Sequence, residues 1–318
     1  MPSTPDRYTE HTHIADVFAE RETTFSFEFF PPKTDAAWKR LLSSMREFEQ
    51  LGPSFVSVTY GAGGTTRENT HQLVLSIRNE TNLLPVPHLT SVCHSREEVW
   101  AMLDDYSARG ISNVMALMGD PPRDDSGVGC AHGDFEHAID LVHLIKEYNA
   151  TGAHSDPRGF GIGVAGFPEG HPATPNRLEE MAHLREKVDA GADYICTQLF
   201  FDNHDFYDFR ERCAVAGIDV PIVAGLMPVT SLRSYGRIPD FALGSRYPAE
   251  LQRRMAACTG DEDAAEVGIS WAVEQAADLL GNGVRGLHLY ILNRVSVAKE
   301  IYRRLGLLPE YADTQTGE

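Results

Sequence analysis

The sequence is poor in positive charge. Its 318 residues include 28 lysines and arginines against 46 aspartates and glutamates, which gives a formal net charge of −18. Phosphate backbones and anionic lipid surfaces repel such an acidic chain, so neither nucleic acid nor a membrane is an expected partner. A small anionic substrate would have to meet basic residues placed locally in its binding site.

Paired cysteines and metal-binding histidine pairs are lacking as well. The five cysteines are scattered and form no C-x-x-C motif, which predicts neither a zinc site nor a disulfide framework. The thirteen histidines include no His-x-x-x-His pair with a carboxylate partner on a predicted helix. We therefore expect no functional metal.

Long apolar runs are also missing. Residues 1–22 are polar, which is not typical of a secretory signal, and no run of apolar residues is long enough to span a bilayer. Together with the unpaired cysteines, this predicts a soluble protein in the reducing cytoplasm.

What the sequence does contain is a regular alternation of short apolar runs and longer amphipathic segments. Eight runs are candidate strands, namely residues 24–29, 55–60, 86–92, 113–118, 159–165, 194–200, 221–225 and 286–291. Helix-like segments follow them, and one further helix is predicted at residues 264–280. This pattern predicts an α/β fold of a single domain, a (βα)8 TIM barrel.

The alternative fold is a doubly wound open sheet, but the dinucleotide fingerprint G-x-G-x-x-G is absent between the first strand and helix. The catalytic barrel is predicted to span residues 22–308. The polar segments 1–21 and 309–318 are expected to be flexible ends. Nothing in the sequence indicates the oligomeric state.

A lone carboxylate stands in the aromatic run Phe25-Ser26-Phe27-Glu28-Phe29-Phe30, just before two prolines. Apolar neighbours desolvate a carboxylate and raise its pKa, so that the group can hold a proton near neutral pH and deliver it. The alternative is an ordinary strand in which Glu28 points to solvent.

Polar residues also stand at the ends of most of the other predicted strands. In a parallel barrel these ends meet at one mouth, where active sites are built. The residues concerned are Glu28, Thr59, Tyr60, His88, Thr90, Gly119, Asp120, Glu169, His171, Thr197, Gln198, Tyr290, Asn293 and Arg294.

Taken together, these residues resemble the methylenetetrahydrofolate reductase family over residues 25–305. The matching motifs, in order, are Phe27-Glu28-Phe29-Phe30-Pro31-Pro32, Val58-Thr59-Tyr60-Gly61-Ala62, His88-Leu89-Thr90, Gly119-Asp120-Pro121-Pro122, Pro168-Glu169-Gly170-His171-Pro172, Gly191-Ala192-Asp193 with Thr197-Gln198, and His288-Leu289-Tyr290 with Leu292-Asn293-Arg294. The resemblance implies a (βα)8 barrel that reduces 5,10-methylenetetrahydrofolate to 5-methyltetrahydrofolate with a reduced nicotinamide.

The resemblance also implies roles for individual residues. Glu28 would be the general acid that opens the five-membered ring of the substrate, and Asp120 would stabilise the positive charge that develops. Gln198, Tyr290 and Arg294 match positions that contact the folate substrate.

The same resemblance places a cofactor near a second group of residues. In most of the family an FAD relays the hydride. The matching positions are Thr59, Tyr60, His88, Gly119, Phe167, His171 and Lys187. Met118, Phe167 and His183 depart from the family pattern, and each departure removes polar contacts to a flavin. We therefore predict that NADH passes its hydride directly to the folate; the alternative is the same reaction through a bound FAD.

Two proteins of other classes remain as alternatives. One is a barrel that binds folate without turning it over. The other is an aldolase, which would need a metal cluster or a Schiff-base lysine within a strand, and no lysine lies in the predicted strands.

Overall fold

A computed structural model describes residues 12–61, 67–119 and 133–308. Eight parallel strands close into a barrel in the order β1-β2-β3-β4-β5-β6-β7-β8, with β1 paired to β8. The strands are β1 (Thr24–Phe29), β2 (Phe55–Val58), β3 (Pro85–Thr90), β4 (Asn113–Leu117), β5 (Gly161–Gly166), β6 (Tyr194–Thr197), β7 (Ile222–Leu226) and β8 (Gly286–Leu289). The predicted (βα)8 barrel is confirmed.

Helices surround the barrel and alternate with the strands. They are α1 (Ile14–Glu20), α2 (Asp35–Gln50), α3 (Arg67–Glu80), α4 (Arg96–Ala108), α5 (Ala138–Ala150), α6 (Arg177–Asp189), α7 (Asn203–Val215), α8 (Leu232–Phe241), α9 (Ala249–Ala256), α10 (Asp261–Gly281) and α11 (Val295–Arg304). The extra helix predicted before the last strand is α10. The sequence pattern predicted neither α1 nor α9.

Helix α1 closes the amino-terminal end of the barrel. Ile14, Val17 and Phe18 are buried and pack against interior residues of the strands, among them Phe55 and Tyr194. The Ile14 amide donates to Asn113 Oδ1 of β4 at 2.7 Å, which fixes the helix to the barrel. Residues 14–20 of the segment predicted to be flexible thus form a helix packed against the barrel. The predicted flexible tail, residues 309–318, lies outside the described residues.

The alternation of β1 divides its side chains between two environments. Phe27 and Phe29 lie on the outer face and pack against Phe48 of α2, with ring centroids 5.6 and 4.8 Å apart. Ser26 and Glu28 point into the barrel, because successive side chains of a strand alternate between faces. The aromatic residues next to Glu28 in the sequence therefore pack against the surrounding helices. The residues that contact the Glu28 side chain inside the barrel come from other strands.

Two further observations concern the functional classes considered above. No described helix is both long and apolar enough to cross a membrane. Cys196, Cys213 and Cys258 are free thiols, whereas Cys93 is disulfide-bonded, which the scattered spacing of the cysteines did not predict.

Candidate active site

Glu28 lies inside the carboxyl-terminal mouth of the barrel, with its side chain 20% exposed. Its Oε2 is 3.5 Å from His88 Nε2 of β3 and 4.0 Å from His288 Nε2 of β8. Burial raises the pKa of Glu28 to about 8 and lowers the pKa of His88 to about 4. At neutral pH the contact therefore joins a protonated carboxyl and a neutral imidazole, rather than an ion pair. Such a carboxyl has a proton to give.

His288 belongs to a buried polar network that sequence reasoning missed. Its Nδ1 is 2.7 Å from Ser26 Oγ and its Nε2 is 3.3 Å from Ser57 Oγ. Burial lowers the pKa of His288 to about 3. Barrel closure creates this network, because Ser26 and His288 are paired in the β1–β8 register and Glu28 is paired with Ser57 between β1 and β2. The sequence shows only that Ser26 and Glu28 are two positions apart and so lie on the same face of a strand.

Tyr290 stands beside this network, directly after β8. Its ring lies edge-on to the His288 imidazole with centroids 4.9 Å apart, and its hydroxyl donates to the Thr197 carbonyl at 2.8 Å. Burial raises the pKa of the Tyr290 phenol well above its ordinary value. The Tyr290 side chain is therefore held in place and uncharged, and it lines the pocket that contains Glu28.

Gly225 of β7 makes room for Tyr290. A Cβ atom at this position would lie 2.4 Å from the Thr197 carbonyl oxygen and 2.7 Å from the Tyr290 ring. We expect Gly225→Ala to lower the free energy of unfolding by about 1–3 kcal/mol, because an extra methyl group in a closely packed site forces backbone or ring to move. Denaturant unfolding followed by circular dichroism measures this effect.

Gly236 of α8 offers a matched control, because nothing lies within 4 Å of a Cβ atom built there. Gly236→Ala is expected to leave stability unchanged or to raise it by up to about 1 kcal/mol, since alanine favours a helix over glycine. Equal unfolding midpoints for the two variants would contradict the steric role of Gly225.

The other predicted folate contacts lie around the same mouth. Gln198 follows β6, and its Oε1 accepts from the Leu199 amide at 2.9 Å. Arg294 is exposed and donates to Thr230 Oγ1 at 2.7 Å. Asp120 lies outside the described residues. Gly119 precedes it with a φ of 83°, and a Cβ atom there would be 2.8 Å from Val92 Cγ1.

The loop after β8 is held against the end of β1. Leu292 and Asn293 both adopt positive φ, 51° and 60°, which is uncommon for residues with a side chain. The side-chain Nδ2 of Asn293 donates to the Phe30 backbone carbonyl at 2.8 Å, and its Oδ1 accepts from the Phe30 backbone amide at 3.0 Å. These two hydrogen bonds fix the loop that carries Arg294 to the end of β1, the strand that carries Glu28.

The predicted cofactor residues divide between two sides of the mouth. His88 contacts Glu28, and the Thr59 amide donates to the Phe29 carbonyl at 2.8 Å. The Tyr60 hydroxyl is 3.1 Å from His94 Nε2, whose Nδ1 is 3.6 Å from Glu98 Oε2. Sequence reasoning missed His94, which belongs to none of the motifs.

Phe167, His171 and Lys187 lie on the β5–α6 side, and the structure gives no contact between them and Glu28. The rings of Phe167 and His171 meet edge to face at 4.6 Å. Lys187 Nζ donates to the Ala165 carbonyl at 3.2 Å, and burial lowers the pKa of Lys187 to about 8.

Met118 after β4 and His183 and Lys187 on the β5–α6 side offer no free cation to the diphosphate of an FAD. Met118 offers a thioether, which accepts from Ser91 Oγ at 3.4 Å, where the family pattern has a cation. The His183 ring stacks on His137 at 6.4 Å. The Lys187 ammonium is engaged by a backbone carbonyl. Anion binding favours free, forked cationic donors, which these side chains do not supply.

Known proteins of one family match nearly the whole chain. A sequence profile described as Methylenetetrahydrofolate reductase matches residues 13–306. Methylenetetrahydrofolate reductase (NADH) 1 of Arabidopsis thaliana is 37% identical over an alignment of 308 residues, and the match covers 93% of this chain and 50% of the relative. The 5,10-methylenetetrahydrofolate reductase of Escherichia coli K12 is 36% identical over 285 residues, 89% of this chain and 91% of the relative. The chain thus spans about half the length of the plant relatives that it matches.

A solved structure shares the fold at low identity. It is an uncharacterized protein from Clostridium thermocellum, described as binding two copies of 5-methyl-5,6,7,8-tetrahydrofolic acid, with a TM-score of 0.59 and 12% identity over 92% of this chain and 99% of that chain. This likeness concerns the barrel alone. The profile match and the sequence identity to the bacterial and plant enzymes carry the assignment: the chain belongs to the methylenetetrahydrofolate reductase family of oxidoreductases.

Proposed function

We propose that this protein reduces 5,10-methylenetetrahydrofolate to 5-methyltetrahydrofolate, with Glu28 as the general acid and NADH as the direct hydride donor. The observation that carries the proposal is the Glu28 carboxyl inside the mouth of the barrel, 3.5 Å from His88 Nε2, where burial raises its pKa to about 8. A general acid is most effective when its pKa lies near the working pH.

The first step is a proton transfer. The methylene carbon of the substrate bridges N5 and N10, and in the product it remains on N5. Glu28 therefore gives its proton to N10, the bond between N10 and the carbon breaks, and its electron pair stays on N10. An N5 iminium cation results. Asp120 is proposed to stabilise this cation electrostatically.

The second step is a hydride transfer. The nicotinamide C4–H bond supplies a hydrogen with its electron pair to the iminium carbon, which becomes a methyl group, while NADH becomes NAD⁺. Glu28 is left as a carboxylate and takes a proton from solvent before the next turnover. Gln198, Tyr290 and Arg294 are proposed to hold the folate, with Arg294 facing its anionic glutamate tail.

The departures from the family pattern after β4 and on the β5–α6 side support direct transfer. Met118, Phe167 and His183 leave a flavin diphosphate without the polar partners that the family pattern provides. Thr59, Tyr60, His88, Gly119, His171 and Lys187 are proposed to line the nicotinamide site instead. The proposed reaction needs no flavin.

Transfer of deuterium from NADH that carries deuterium at both C4 hydrogens tests this route. We expect the label to appear quantitatively in the methyl group of the product, because a hydride passed directly from carbon to carbon never meets solvent. The hydrogen on N5 of a reduced flavin exchanges with water, so a relay would dilute the label. Mass spectrometry of the product after turnover in ordinary water measures the retention.

The alternatives give different results in the same preparation. A flavin relay predicts a visible flavin band in the purified protein, ping-pong kinetics and loss of label. A folate-binding barrel without activity predicts binding of the folate and no oxidation of NADH. Intersecting lines in initial-rate plots, together with retained label, are the expected outcome.

A further inference from the structure

A buried hydroxyl group without a hydrogen-bond partner lies at the carboxyl end of β3. Thr90 is 4% exposed, and its Oγ1 has no partner among the described residues. Such atoms are few in folded proteins, because an unpaired polar atom in the interior costs stability. The other described residues with such an atom lie before a strand, at the start of one or on a helix, namely Ser112, Tyr194, Arg212 and Tyr302. Among them, Thr90 alone stands at the end of the barrel where barrel enzymes bind their ligands.

The alternation of β3 turns the Thr90 side chain into the barrel. His88 points inward, since its Nε2 is 3.5 Å from Glu28 Oε2, whereas Leu89 packs in the core between strands and helices. Thr90 therefore lies on the same face as His88 and nearer to the mouth. A Cβ atom built at Gly119 would lie 2.9 Å from Thr90 Cβ and 3.1 Å from its Cγ2. The methyl group of Thr90 thus packs against Gly119, and the hydroxyl is on the other branch of the side chain.

The place of Thr90 in the barrel favours NADH over the folate as its partner. Gln198 and Tyr290, two of the proposed folate contacts, follow β6 and β8, and each of these strands is three strands away from β3 in the closed order. His88 and Gly119, which are proposed to line the nicotinamide site, are the neighbours of Thr90. Burial lowers the pKa of His88 to about 4, so this neighbour is uncharged at pH 7. A neutral polar group of the ligand suits such surroundings.

We propose that Thr90 binds the nicotinamide ring of NADH, with its hydroxyl donating a hydrogen bond to the carboxamide oxygen. This inference rests on the proposed function. The carboxamide is bonded to C3 of the ring, next to the C4 that gives the hydride, so a hydrogen bond to it orients C4. His88, two positions before Thr90, contacts Glu28, so a ring held here lies beside the proton donor. The Thr90 Oγ1 obtains its missing partner when this ligand enters the mouth.

Thr90→Val tests the proposal, because it removes the hydroxyl and nearly keeps the size of the side chain. We expect the dissociation constant of NADH to rise about tenfold, since the bound carboxamide loses its hydrogen bond. The dissociation constant of the folate is expected to stay the same. The free variant should unfold at a higher denaturant concentration than wild type, because an unpaired buried hydroxyl has been removed. Fluorescence titration with NADH in the absence of folate and denaturant unfolding measure the two effects.

Thr24→Val is the matched control. Thr24 is a fully buried threonine of β1, and its Oγ1 donates to the Arg285 carbonyl at 3.3 Å, so its hydroxyl is already paired in the free protein. We expect Thr24→Val to unfold at a lower denaturant concentration and to bind NADH as wild type does. Thr90→Ser keeps the hydroxyl and loses only the methyl group, so its affinity for NADH should stay close to that of wild type.

A change in the ligand shows whether the contact is direct. Reduced thionicotinamide adenine dinucleotide carries sulfur, a weak acceptor, in place of the carboxamide oxygen. Wild type is expected to bind it more weakly than NADH. In Thr90→Val the ratio of the two dissociation constants should fall toward one, because the donor that distinguishes oxygen from sulfur is gone. The same ratio in wild type and Thr90→Val would overturn the proposal.

Two further results would count against Thr90. An unchanged affinity for NADH in Thr90→Val excludes the contact. A Thr90→Val protein that is less stable than wild type, or that does not fold, shows that the hydroxyl already has a partner in the free protein and also overturns the proposal. Failure of the proposed function is distinguishable, because NADH binding is measured without turnover. Weakened NADH binding in Thr90→Val together with dilution of the deuterium label would support the contact and reject direct transfer.

Discussion

Turnover is expected to fall by about 10²–10⁴-fold when Glu28 is replaced by Gln, the range that a general acid contributes. Glutamine keeps the size of the side chain and its place beside His88, but it carries no proton that can be transferred to N10. The loss is therefore expected in kcat, with binding of the folate substrate retained. Steady-state rates with NADH and fluorescence or calorimetric titration with the folate measure the two effects separately.

Glu147→Gln provides the control for loss of a carboxylate elsewhere on the chain. Glu147 lies on α5 with its side chain 56% exposed and pairs with Arg96 at 2.6 Å. An exposed ion pair contributes little to stability, so this variant is expected to keep the wild-type rate. Equal rates for wild type and Glu28→Gln would refute the acid role. Loss of folate binding along with turnover would instead make Glu28 a binding residue.

The barrel could be predicted from the sequence because each strand and most helices have a local sequence pattern of their own. Short apolar runs rich in β-branched and aromatic residues predict strands, and the alternation with helices predicts their parallel closure. The polar strand ends were then placed together by the topology alone. Glu28, His88 and Tyr290 do meet around one mouth, as that reasoning predicted.

The residues that surround the Glu28 side chain could not be predicted from the sequence in the same way. The sequence pointed to its aromatic neighbours, but Phe27 and Phe29 face α2 on the outer side of the strand. Ser26 and His288 are 262 positions apart and meet only because β8 closes onto β1 in one register. Strand register depends on the packing of the whole barrel, so no local pattern contains it. The desolvation of Glu28 was predicted correctly for a reason that was partly wrong.

Helix α1 was not predicted from the sequence, for a different reason. Ile14, Val17 and Phe18 have the i, i+3, i+4 spacing of an amphipathic helix. The segment has only seven residues, too few to form a stable helix in isolation, and its polar flanks resemble a flexible end. Burial against Phe55 and Tyr194 stabilises it, and that burial exists only after the barrel has closed.

The raised pKa of Glu28 has a second large consequence, a dependence of stability on pH. The folded protein holds the Glu28 proton up to pH about 8, whereas the ordinary pKa of a glutamate carboxyl is 4.5. Between these two values the unfolded chain has lost the proton and the folded protein has kept it. The folded state therefore loses stability as the pH rises through this window, and the loss is complete above the folded pKa.

We expect Glu28→Gln to become increasingly more stable than wild type as the pH rises from 5 to 9. One pKa unit corresponds to about 1.36 kcal/mol, so the full shift sets an upper limit of about 5 kcal/mol for the difference. Water entering the mouth reduces this value, since the side chain is 20% exposed. Denaturant unfolding of both proteins at pH 5.5, 7 and 9 measures the difference directly.

The same comparison separates the acid from a merely buried carboxylate. Glu147→Gln is expected to run parallel to the wild-type curve, because an exposed ion pair contributes little to stability. If Glu28→Gln also ran parallel to wild type, Glu28 would be ionised in the folded protein at neutral pH. It would then have no proton to give to N10. A widening difference places the proton on Glu28 before any substrate binds, which is the state that ring opening requires.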